Sequence, residues 1–278
     1  MKSIICYATG GLANRVFPLA SIKRYAELTN RKFLLYWPLD FRCEANFSSL
    51  YSNKIDVIDE SYLHSLSFNT TKVFSSFMDT AYNDLNIYGR SFLSYKNIVI
   101  GEPDLNETAD TIICCSNTFL NCVPVSESKE SINDLTINSE ILHKASQIYK
   151  SLKLSSNSLG VHMRGTDFNS NPNMYITKIK TCLDSEEFTN LFICSDDKEL
   201  EESVINIYPN AIRRTNKKYI EKINKETDWN FNTNSTKEAM IDSVIDLILL
   251  SKTNLTIYNE ASTFAKYAKI LEWKKRYD

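Results

Sequence analysis

Short apolar runs alternate with helical stretches near the start of the chain. Residues 3–8 and 33–37 are mostly apolar, and residues 14–28 carry apolar side chains at the spacing of one helix face. The first run ends at Gly10 and Gly11. This order of strand, glycine turn, helix and strand predicts the opening of an α/β layer. By the same criteria, a further buried strand and a helix are predicted at residues 111–116 and 139–152.

A second series of strands and helices begins after residues 155–158, a polar stretch with the composition of a linker. Strands are predicted at residues 159–163, 191–194 and 255–258. Helices are predicted at residues 174–182, 198–205, 238–250 and 262–273. Short buried strands that alternate with helices are typical of parallel sheets, so the sequence predicts an α/β protein with two similar layers.

Two stretches lack a clear period. Residues 40–110 hold many aromatic, serine and asparagine side chains, and we expect loops and short helices there. Residues 217–236 are polar and are expected to form a mobile loop.

The composition is that of an ordinary globular protein, with 43% hydrophobic and 24% charged residues. A length of 278 residues is typical of about two domains. The net charge of −2 does not indicate a basic surface, so we expect no nucleic-acid partner. The longest apolar run, residues 244–250, is far shorter than a bilayer span, so any membrane association is expected to be peripheral.

The seven cysteines are scattered along the chain, and an odd number cannot all pair within it. They lack the spacing of metal ligands, and most lie in apolar surroundings. The first residues are too short an apolar stretch for a signal peptide. We therefore expect a reducing compartment, the cytoplasm, and no metal.

Polar segments follow four of the predicted strands. In open α/β sheets, ligands bind beyond the carboxyl ends of the strands, so these segments are the candidate site. They are residues 9–15, 164–167, 195–197 and 259–263.

An arginine at the end of a buried strand is the strongest chemical signal. Residues 162–167 read His-Met-Arg-Gly-Thr-Asp. A buried guanidinium needs an anionic partner, and its planar fork suits two phosphate oxygens. His162 precedes Arg164 by two residues, so both point to the same side of the strand. Two interpretations are open: a diphosphate site, or an ion pair of Arg164 with Asp167 beside a core histidine.

Gly10 and Gly11 let the backbone turn tightly and approach a ligand, and the helix that follows offers free N–H groups. Taken alone, an ordinary strand-to-helix turn explains this motif better. The dinucleotide fingerprint Gly-x-Gly-x-x-Gly is absent.

Helix capping and ligand binding are both open for two further segments. Ser195, Asp196 and Asp197 suit a nucleotide base or ribose, but they are also residues that commonly cap helices. Ser262 and Thr263 either cap the last helix or mark a helix start that binds phosphate.

Asp246 lies in an otherwise apolar predicted helix. A carboxylate in such a place needs a hydrogen-bonding partner. That partner is a buried backbone group, a lysine or a ligand.

Residues 162–167 resemble the His-x-Arg-[Arg/Gly]-[Thr/Gly]-Asp segment of the GDP-fucose fucosyltransferases. This superfamily includes the α-1,6-, α-1,2- and protein O-fucosyltransferases and the rhizobial chitooligosaccharide fucosyltransferase. Four further blocks follow the family's order: a Gly-Gly-x-x-Asn turn, a strand ending in Thr/Ser-Asp-Asp, an Asp-Leu-x-Leu-Leu-Ser helix and a Ser-x-Phe segment. They stand at residues 10–15, 192–197, 246–251 and 261–264. Several members of the family have a second arginine at the position of Gly165.

The resemblance implies a GT-B-like α/β fold, with two Rossmann-like domains and a cleft between them. An N-terminal domain on the acceptor side is expected at residues 1–155. A C-terminal domain that binds the nucleotide sugar is expected at residues 156–260. Residues 261–278 are expected to form a closing helix that packs back on the N-terminal domain.

The resemblance also implies an activity, the transfer of fucose from a GDP-fucose donor to a hydroxyl of a glycan or glycolipid acceptor. The transfer would invert the configuration at the anomeric carbon of the sugar and use no metal or other cofactor. Arg164 is the implied catalytic residue, in contact with the donor diphosphate and with His162 beside it. Asp196 or Asp197 and Asp246 would face the guanosine, Ser262 and Thr263 would bind phosphate, and Gly11 and Asn14 would line the cleft near the sugar.

Departure of a diphosphate creates negative charge, which a fixed arginine and helix-end amides can stabilise without a metal. The acceptor hydroxyl should need a general base, typically a carboxylate. Asp40 and Glu44 follow the strand predicted at residues 33–37 and are candidates, although solvated loop charges explain both more simply.

Three other classes of function stay open. The first is a transferase that uses another nucleotide-activated sugar, and the second is a non-catalytic protein that binds a nucleotide or a glycan. The third, a hydride-transferring oxidoreductase, would share the layered fold, but the absent dinucleotide fingerprint counts against it.

Overall fold

The computed structural model describes residues 1–67, 69–76, 98–165, 170–185, 187–222 and 233–274. Within these residues, the strands are β1 (Ser3–Ala8), β2 (Lys32–Tyr36), β3 (Val57–Ile58), β4 (Thr71–Ser75), β5 (Ile98–Ile100), β6 (Thr111–Ser116), β7 (Ser158–Met163), β8 (Asn190–Ser195), β9 (Glu221–Lys222), β10 (Thr233–Asn234) and β11 (Leu255–Ile257). The helices there are α1 (Leu12–Leu28), α2 (Phe47–Leu50), α3 (Glu60–His64), α4 (Val125–Asn133), α5 (Ser139–Ser151), α6 (Pro172–Ser185), α7 (Lys198–Ile205), α8 (Lys237–Leu250) and α9 (Thr263–Lys274). No helix in these ranges combines the length and the apolar character that crossing a bilayer requires.

The chain forms two compact units. The first unit comprises Met1–Pro38 and Asn53–Thr136, and the second comprises Leu39–Ser52 and Ile137–Asp278. Helix α5 therefore lies in the second unit, where it packs against α8. The domain limits expected near residues 155 and 260 stay a prediction.

The first unit is built on a parallel sheet of six strands in the order β3-β2-β1-β6-β4-β5. Strand β1 is buried at all six positions and pairs with β2 and β6, while helix α1 packs against it. The sequence prediction of strand, glycine turn, helix and strand is confirmed, as is the strand at residues 111–116.

Three strands lie where only loops and short helices were expected, so that expectation for residues 40–110 is wrong in part. Strands β3, β4 and β5 have two to five residues and are only partly buried. Segments of two to five residues are too short to stand out by apolar periodicity in the sequence. Residues 77–97 lie outside the described residues.

The second unit holds a parallel sheet of three strands in the order β11-β7-β8, and Ile212 extends it by a bridge to Phe192. Strand β7 is buried throughout, and its apolar side chains pack against Tyr175 and Ile179 of helix α6. Helix α8 is buried at ten of its fourteen positions, and helix α9 packs against it. The strands predicted at residues 159–163, 191–194 and 255–258 are confirmed.

Candidate functional site

Three parallel strands of the second unit end at the same edge of its sheet. Their register pairs His162 with Cys194 and Met163 with Ser195, so the residues that follow β7 and β8 lie side by side. Strand β11 pairs with the other side of β7 and leads into helix α9. The sheet therefore brings together most of the site residues predicted in this unit.

The segment after β7 is joined to the turn after β8 by a direct hydrogen bond. The backbone N–H of Gly165 donates to Oδ1 of Asp196 over 2.7 Å. Arg164 is half-buried next to this bond. Thr166 and Asp167, the rest of the predicted motif, lie outside the described residues, so the proposed Arg164–Asp167 ion pair stays untested.

Gly165 is in close contact with the same turn. A Cβ atom at this position would lie 2.6 Å from Cβ and 2.9 Å from Oδ2 of Asp197. These distances are too short for any side chain unless Asp197 moves. The chain therefore has no room at residue 165, in its present arrangement, for the second arginine that several GDP-fucose fucosyltransferases carry.

Asp197 begins helix α7 as its N-cap. Its Oδ1 accepts a hydrogen bond from the N–H of Leu200 over 3.1 Å, and its own N–H donates to Oγ of Ser195 over 3.0 Å. Capping, one of the two interpretations of this segment, is confirmed for Asp197. The contacts of Asp196 and Asp197 with a nucleotide stay a prediction.

His162 is buried against the start of helix α9. Its ring stacks on Phe264 with centroids 4.7 Å apart, and its Nδ1 lies 3.4 Å from Oγ of Ser262. That oxygen accepts the N–H of Ala265, so Ser262 caps the helix. A serine hydroxyl can accept two hydrogen bonds and donate one, so the tautomer of the neutral His162 decides whether Nδ1 or the Ser262 hydroxyl is the donor in this contact. Thr263, half-buried, is the first residue of the helix.

The surroundings of His162 keep its imidazole neutral. Burial is the main cause that lowers the pKa of His162 to about 3, and the positive charge of Arg164 acts in the same direction. Asp246 opposes this effect and Lys217 adds to it. The ring is therefore a neutral hydrogen-bonding group at any physiological pH.

Acidification is expected to destabilise the fold through His162. Between about pH 6.5 and pH 3, the unfolded chain binds a proton at His162 that the folded chain does not, so stability falls as the pH falls. At pH 5 this loss is about 2 kcal/mol. Urea unfolding at pH 7 and pH 5 measures it, with His162→Gln as the control. Other groups titrate alike in both proteins, so equal losses in wild type and variant would contradict the prediction.

Asp246 has two cationic partners inside the second unit. Its Oδ1 accepts a hydrogen bond from Nη1 of Arg214 over 2.8 Å, and its Oδ2 accepts one from Nζ of Lys217 over 3.0 Å. Arg214 also donates to the carbonyl and to Oδ1 of Asp242, one helical turn earlier. Of the partners considered from the sequence, the lysine is found, and an arginine accompanies it. A contact of Asp246 with guanosine stays a prediction.

Glu201 is a further buried carboxylate in this group. It accepts hydrogen bonds from the N–H of Ser195, from Lys217 and from the hydroxyl of Tyr219, at 3.0, 2.8 and 2.8 Å. Burial raises the pKa of Glu201, and Lys217 works against that rise. Burial acts to lower the pKa of Lys217, but the charges of Asp246 and Glu201 outweigh it and raise that pKa above its usual range.

The sequence analysis missed Arg214, Lys217 and Glu201. Lys217 stands at the start of a stretch that was expected to be a mobile loop, but its side chain is only 2% exposed. One signal was available: Asp242 and Asp246 lie four residues apart in an apolar helix, which indicates that cations from elsewhere face them.

In the first unit, the glycine turn leads from β1 into α1. Gly10 has a φ of +82°, a backbone conformation that residues other than glycine rarely adopt. A Cβ atom at Gly11 would meet open space. Arg15 is fully buried, and its Nε and Nη1 donate to the carbonyls of Gly10 and Pro38, each over 2.6 Å. These bonds fix the shape of the turn.

The side chain of Asn14 lies against the glycine turn. Its Oδ1 is buried and, among the described residues, has no hydrogen-bond partner. A buried polar atom of this kind usually has a partner such as a water or a bound molecule. The predicted roles of Gly11 and Asn14 near the sugar stay predictions.

The two candidate bases lie in the segment Leu39–Ser52 of the second unit. Oδ1 of the half-buried Asp40 accepts the N–H of Arg42 over 2.9 Å. Glu44 is exposed, and its N–H donates to the carbonyl of Ser235. Because Glu44 is exposed, its carboxylate is accessible to a reactant.

Metal ligation and a separate cavity concern other parts of the molecule. In the described part of the chain, no three His, Cys, Asp or Glu side chains are grouped as metal ligands. A cavity of about 530 Å³ lies at the amino ends of the strands in the first unit, away from the glycine turn. It is lined by Asn69, Thr70, Thr71, Lys72, Ile98, Val99, Thr108, Ala109 and Asp110.

No protein-family model matches the chain, and no curated protein matches its sequence. Solved structures do match its fold. The NodZ α-1,6-fucosyltransferase co-crystallised with GDP has a TM-score of 0.65 at 17% identity, over 98% of this chain and 93% of that one. The fucosyltransferase NodZ from Bradyrhizobium scores 0.64 at 17% identity, over 98% and 94%. POFUT1 in complex with GDP scores 0.56 at 13% identity, over 98% and 95%.

These likenesses extend over nearly the whole of each chain. The GT-B-like α/β fold that the sequence motifs implied is confirmed, while a cleft between two domains stays a prediction. The chain therefore has the fold of the fucosyltransferases NodZ and POFUT1.

Proposed function

We propose that this protein is a glycosyltransferase that transfers fucose from GDP-fucose to a hydroxyl of a glycan or glycolipid acceptor. The observation that carries the proposal is the position of Arg164. It follows the last residue of a central buried strand, beside His162 and the turn of Asp196, in a chain with the fold of two fucosyltransferases that were crystallised with GDP.

The proposed chemistry requires stabilisation of a departing diphosphate. Arg164 supplies a fixed positive charge and two parallel donors for phosphate oxygens. The start of helix α9 at Thr263 supplies backbone N–H groups and the positive end of a helix dipole. Together these groups neutralise charge that develops as the bond between sugar and phosphate breaks, so we propose a metal-independent reaction. Inversion at the sugar is proposed from the resemblance of residues 162–167 to the GDP-fucose fucosyltransferases.

The neutral His162 supports recognition of the nucleotide. In the tautomer that accepts the Ser262 hydroxyl at Nδ1, the Nε2–H of His162 is proposed to donate a hydrogen bond to a carbonyl or phosphate oxygen of GDP-fucose. Asp196 is proposed to face the guanosine together with Asp197. For Asp246 the same role requires that one carboxylate oxygen exchange its Arg214 or Lys217 donor for the base.

The acceptor side of the proposal rests on fewer contacts. Asn14, whose buried Oδ1 is unpaired among the described residues, is proposed to bind a sugar hydroxyl, next to the open space at Gly11. Asp40 and Glu44 are the proposed candidates for the general base. A cytoplasmic location and peripheral contact with a membrane-bound acceptor are part of the same proposal.

Nucleotide binding tests the proposal without knowledge of the acceptor. GDP is expected to raise the melting temperature in proportion to the logarithm of its concentration over the dissociation constant, with about 2.7 kcal/mol of added stability at a hundredfold excess. UDP and ADP are expected to raise it less, and NAD not at all. A shift with NAD and none with GDP would exclude the transferase, whereas a shift with ADP or UDP alone would assign another nucleotide sugar.

A further inference from the structure

The ammonium group of Lys217 has an unusual set of partners. Its Nζ donates to the carbonyl oxygen of Ser195 over 3.1 Å, to Oε2 of Glu201 over 2.8 Å and to Oδ2 of Asp246 over 3.0 Å. An ammonium group has three N–H donors, so these three acceptors satisfy it completely. The ring of Tyr219 covers it at 4.6 Å.

Lys217 and Glu201 hold Ser195 from both sides of its peptide backbone. Lys217 donates to the carbonyl oxygen of Ser195, and Glu201 accepts the N–H of the same residue over 3.0 Å. The hydroxyl of Ser195 in turn accepts the N–H of Asp197. The two charged side chains therefore fix the exact point where strand β8 ends and the turn begins.

This turn is in direct contact with the proposed donor site. Asp196, the next residue, accepts the N–H of Gly165, which follows Arg164. Ser195 itself lies opposite Met163 in the sheet, one residue from His162 and from Arg164. Lys217 also acts on His162 through its charge. A shift of the Ser195 carbonyl would thus be passed on, through Asp196, to the backbone that carries Arg164.

The geometry points to Lys217 as a positioning residue that, held by Glu201 and Asp246, sets the turn at Ser195 and Asp196 and thereby the place of Arg164 for the donor diphosphate. This inference rests on the proposed function, because it assigns a role within the same site. All three donors of Lys217 are bound within the protein, so it acts on the proposed donor site indirectly, through this turn and through its charge on His162.

A purely structural ion pair would behave differently. A buried pair of opposite charges can often be replaced by uncharged groups of similar shape with little loss of stability, whereas removal of one partner destabilises strongly. Uncharged groups at residues 217 and 201 would leave the unit stable but would not hold the Ser195 carbonyl. Stability and nucleotide affinity should therefore separate.

Two variants and a matched control test this separation. Lys217→Met removes the ammonium and leaves the buried Glu201 carboxylate with the more distant cation of Arg213, whose Nη1 lies 4.0 Å from its Oε1. The double variant Lys217→Met with Glu201→Gln removes one charge of each sign, and the glutamine keeps an acceptor for the Ser195 N–H and a donor for the Tyr219 hydroxyl. Ile179→Ala removes buried apolar atoms from helix α6 of the same unit and touches none of these groups.

Urea midpoints and the GDP dissociation constant, from calorimetric titration, are measured for each protein. The double variant is expected to recover most of the midpoint lost in Lys217→Met, yet to bind GDP about tenfold more weakly than wild type, the effect of about one charged hydrogen bond. Ile179→Ala is expected to lose stability and keep the wild-type dissociation constant.

The outcomes separate this inference from the proposed function. A double variant that is stable and binds GDP as tightly as wild type would overturn the positioning role. Weaker GDP binding by Ile179→Ala to the same degree would overturn it too, because general destabilisation would then explain the effect. If wild type itself binds no GDP, the proposed function has failed instead.

Discussion

Replacing Arg164 by alanine is expected to lower the rate of GDP release from GDP-fucose by about 10²- to 10³-fold, the usual effect of removing one group that stabilises transition-state charge. In wild type, the guanidinium lies at the end of a buried strand, where low dielectric strengthens its attraction to the departing diphosphate. Alanine leaves that charge to the helix α9 N-terminus and to the proposed Nε2–H donor of His162. The variant should lower kcat by a larger factor than it raises KM, because the negative charge on the diphosphate is greatest in the transition state.

Hydrolysis of the donor in the absence of acceptor is the measurement. Arg24→Ala is the control, because Arg24 pairs with Glu27 and Glu127 on the first unit and has no part in the proposed site. This control should release GDP at the wild-type rate. Equal rates for wild type and Arg164→Ala would remove Arg164 from the mechanism.

Asp246→Ala is expected to lower the free energy of unfolding by about 3–5 kcal/mol, because it removes the anion of a buried ion-pair group and leaves its cations in place. Arg214 and Lys217 would then face each other with one fewer anion between them, and their side chains are 3% and 2% exposed. Asp242 and Glu201 offset this repulsion only in part, since each already holds one of the two cations.

The free energy of urea unfolding measures this effect. Lys72→Met serves as the comparison, because it breaks the Lys72–Glu107 pair, in which Lys72 is 40% exposed. Partly exposed pairs contribute about 0–1 kcal/mol. A loss of less than about 1 kcal/mol for Asp246→Ala would show that the cations find other partners.

The local order of strands and helices was predictable because it depends on neighbouring residues. Strands β1, β6, β7 and β8 are nearly continuous buried runs, and their carboxyl ends are followed by polar residues or glycine. These features placed His162, Arg164 and Asp196 at one sheet edge before any coordinates. By contrast, β3, β4 and β5 are stabilised by pairing with distant strands, which a local pattern does not reveal.

The partners of charged side chains were less predictable than their positions. The apolar helix showed that Asp246 is buried, but periodicity gives a residue's face and not the group opposite it. Arg214 and Lys217 reach Asp246 across about thirty residues of sequence, from a segment with the composition of a loop. The segment Leu39–Ser52 joins the second unit for the same reason, through long-range backbone bonds such as that of Ser235 to Phe41.

The central claim is that Arg164 recognises the diphosphate of a guanine nucleotide. Calorimetric titration of wild type and Arg164→Ala with GDP and with guanosine tests it most directly. We predict that wild type binds GDP far more tightly than guanosine, and that the variant loses this preference while its guanosine affinity is unchanged. An equal preference for GDP over guanosine in both proteins would contradict the account.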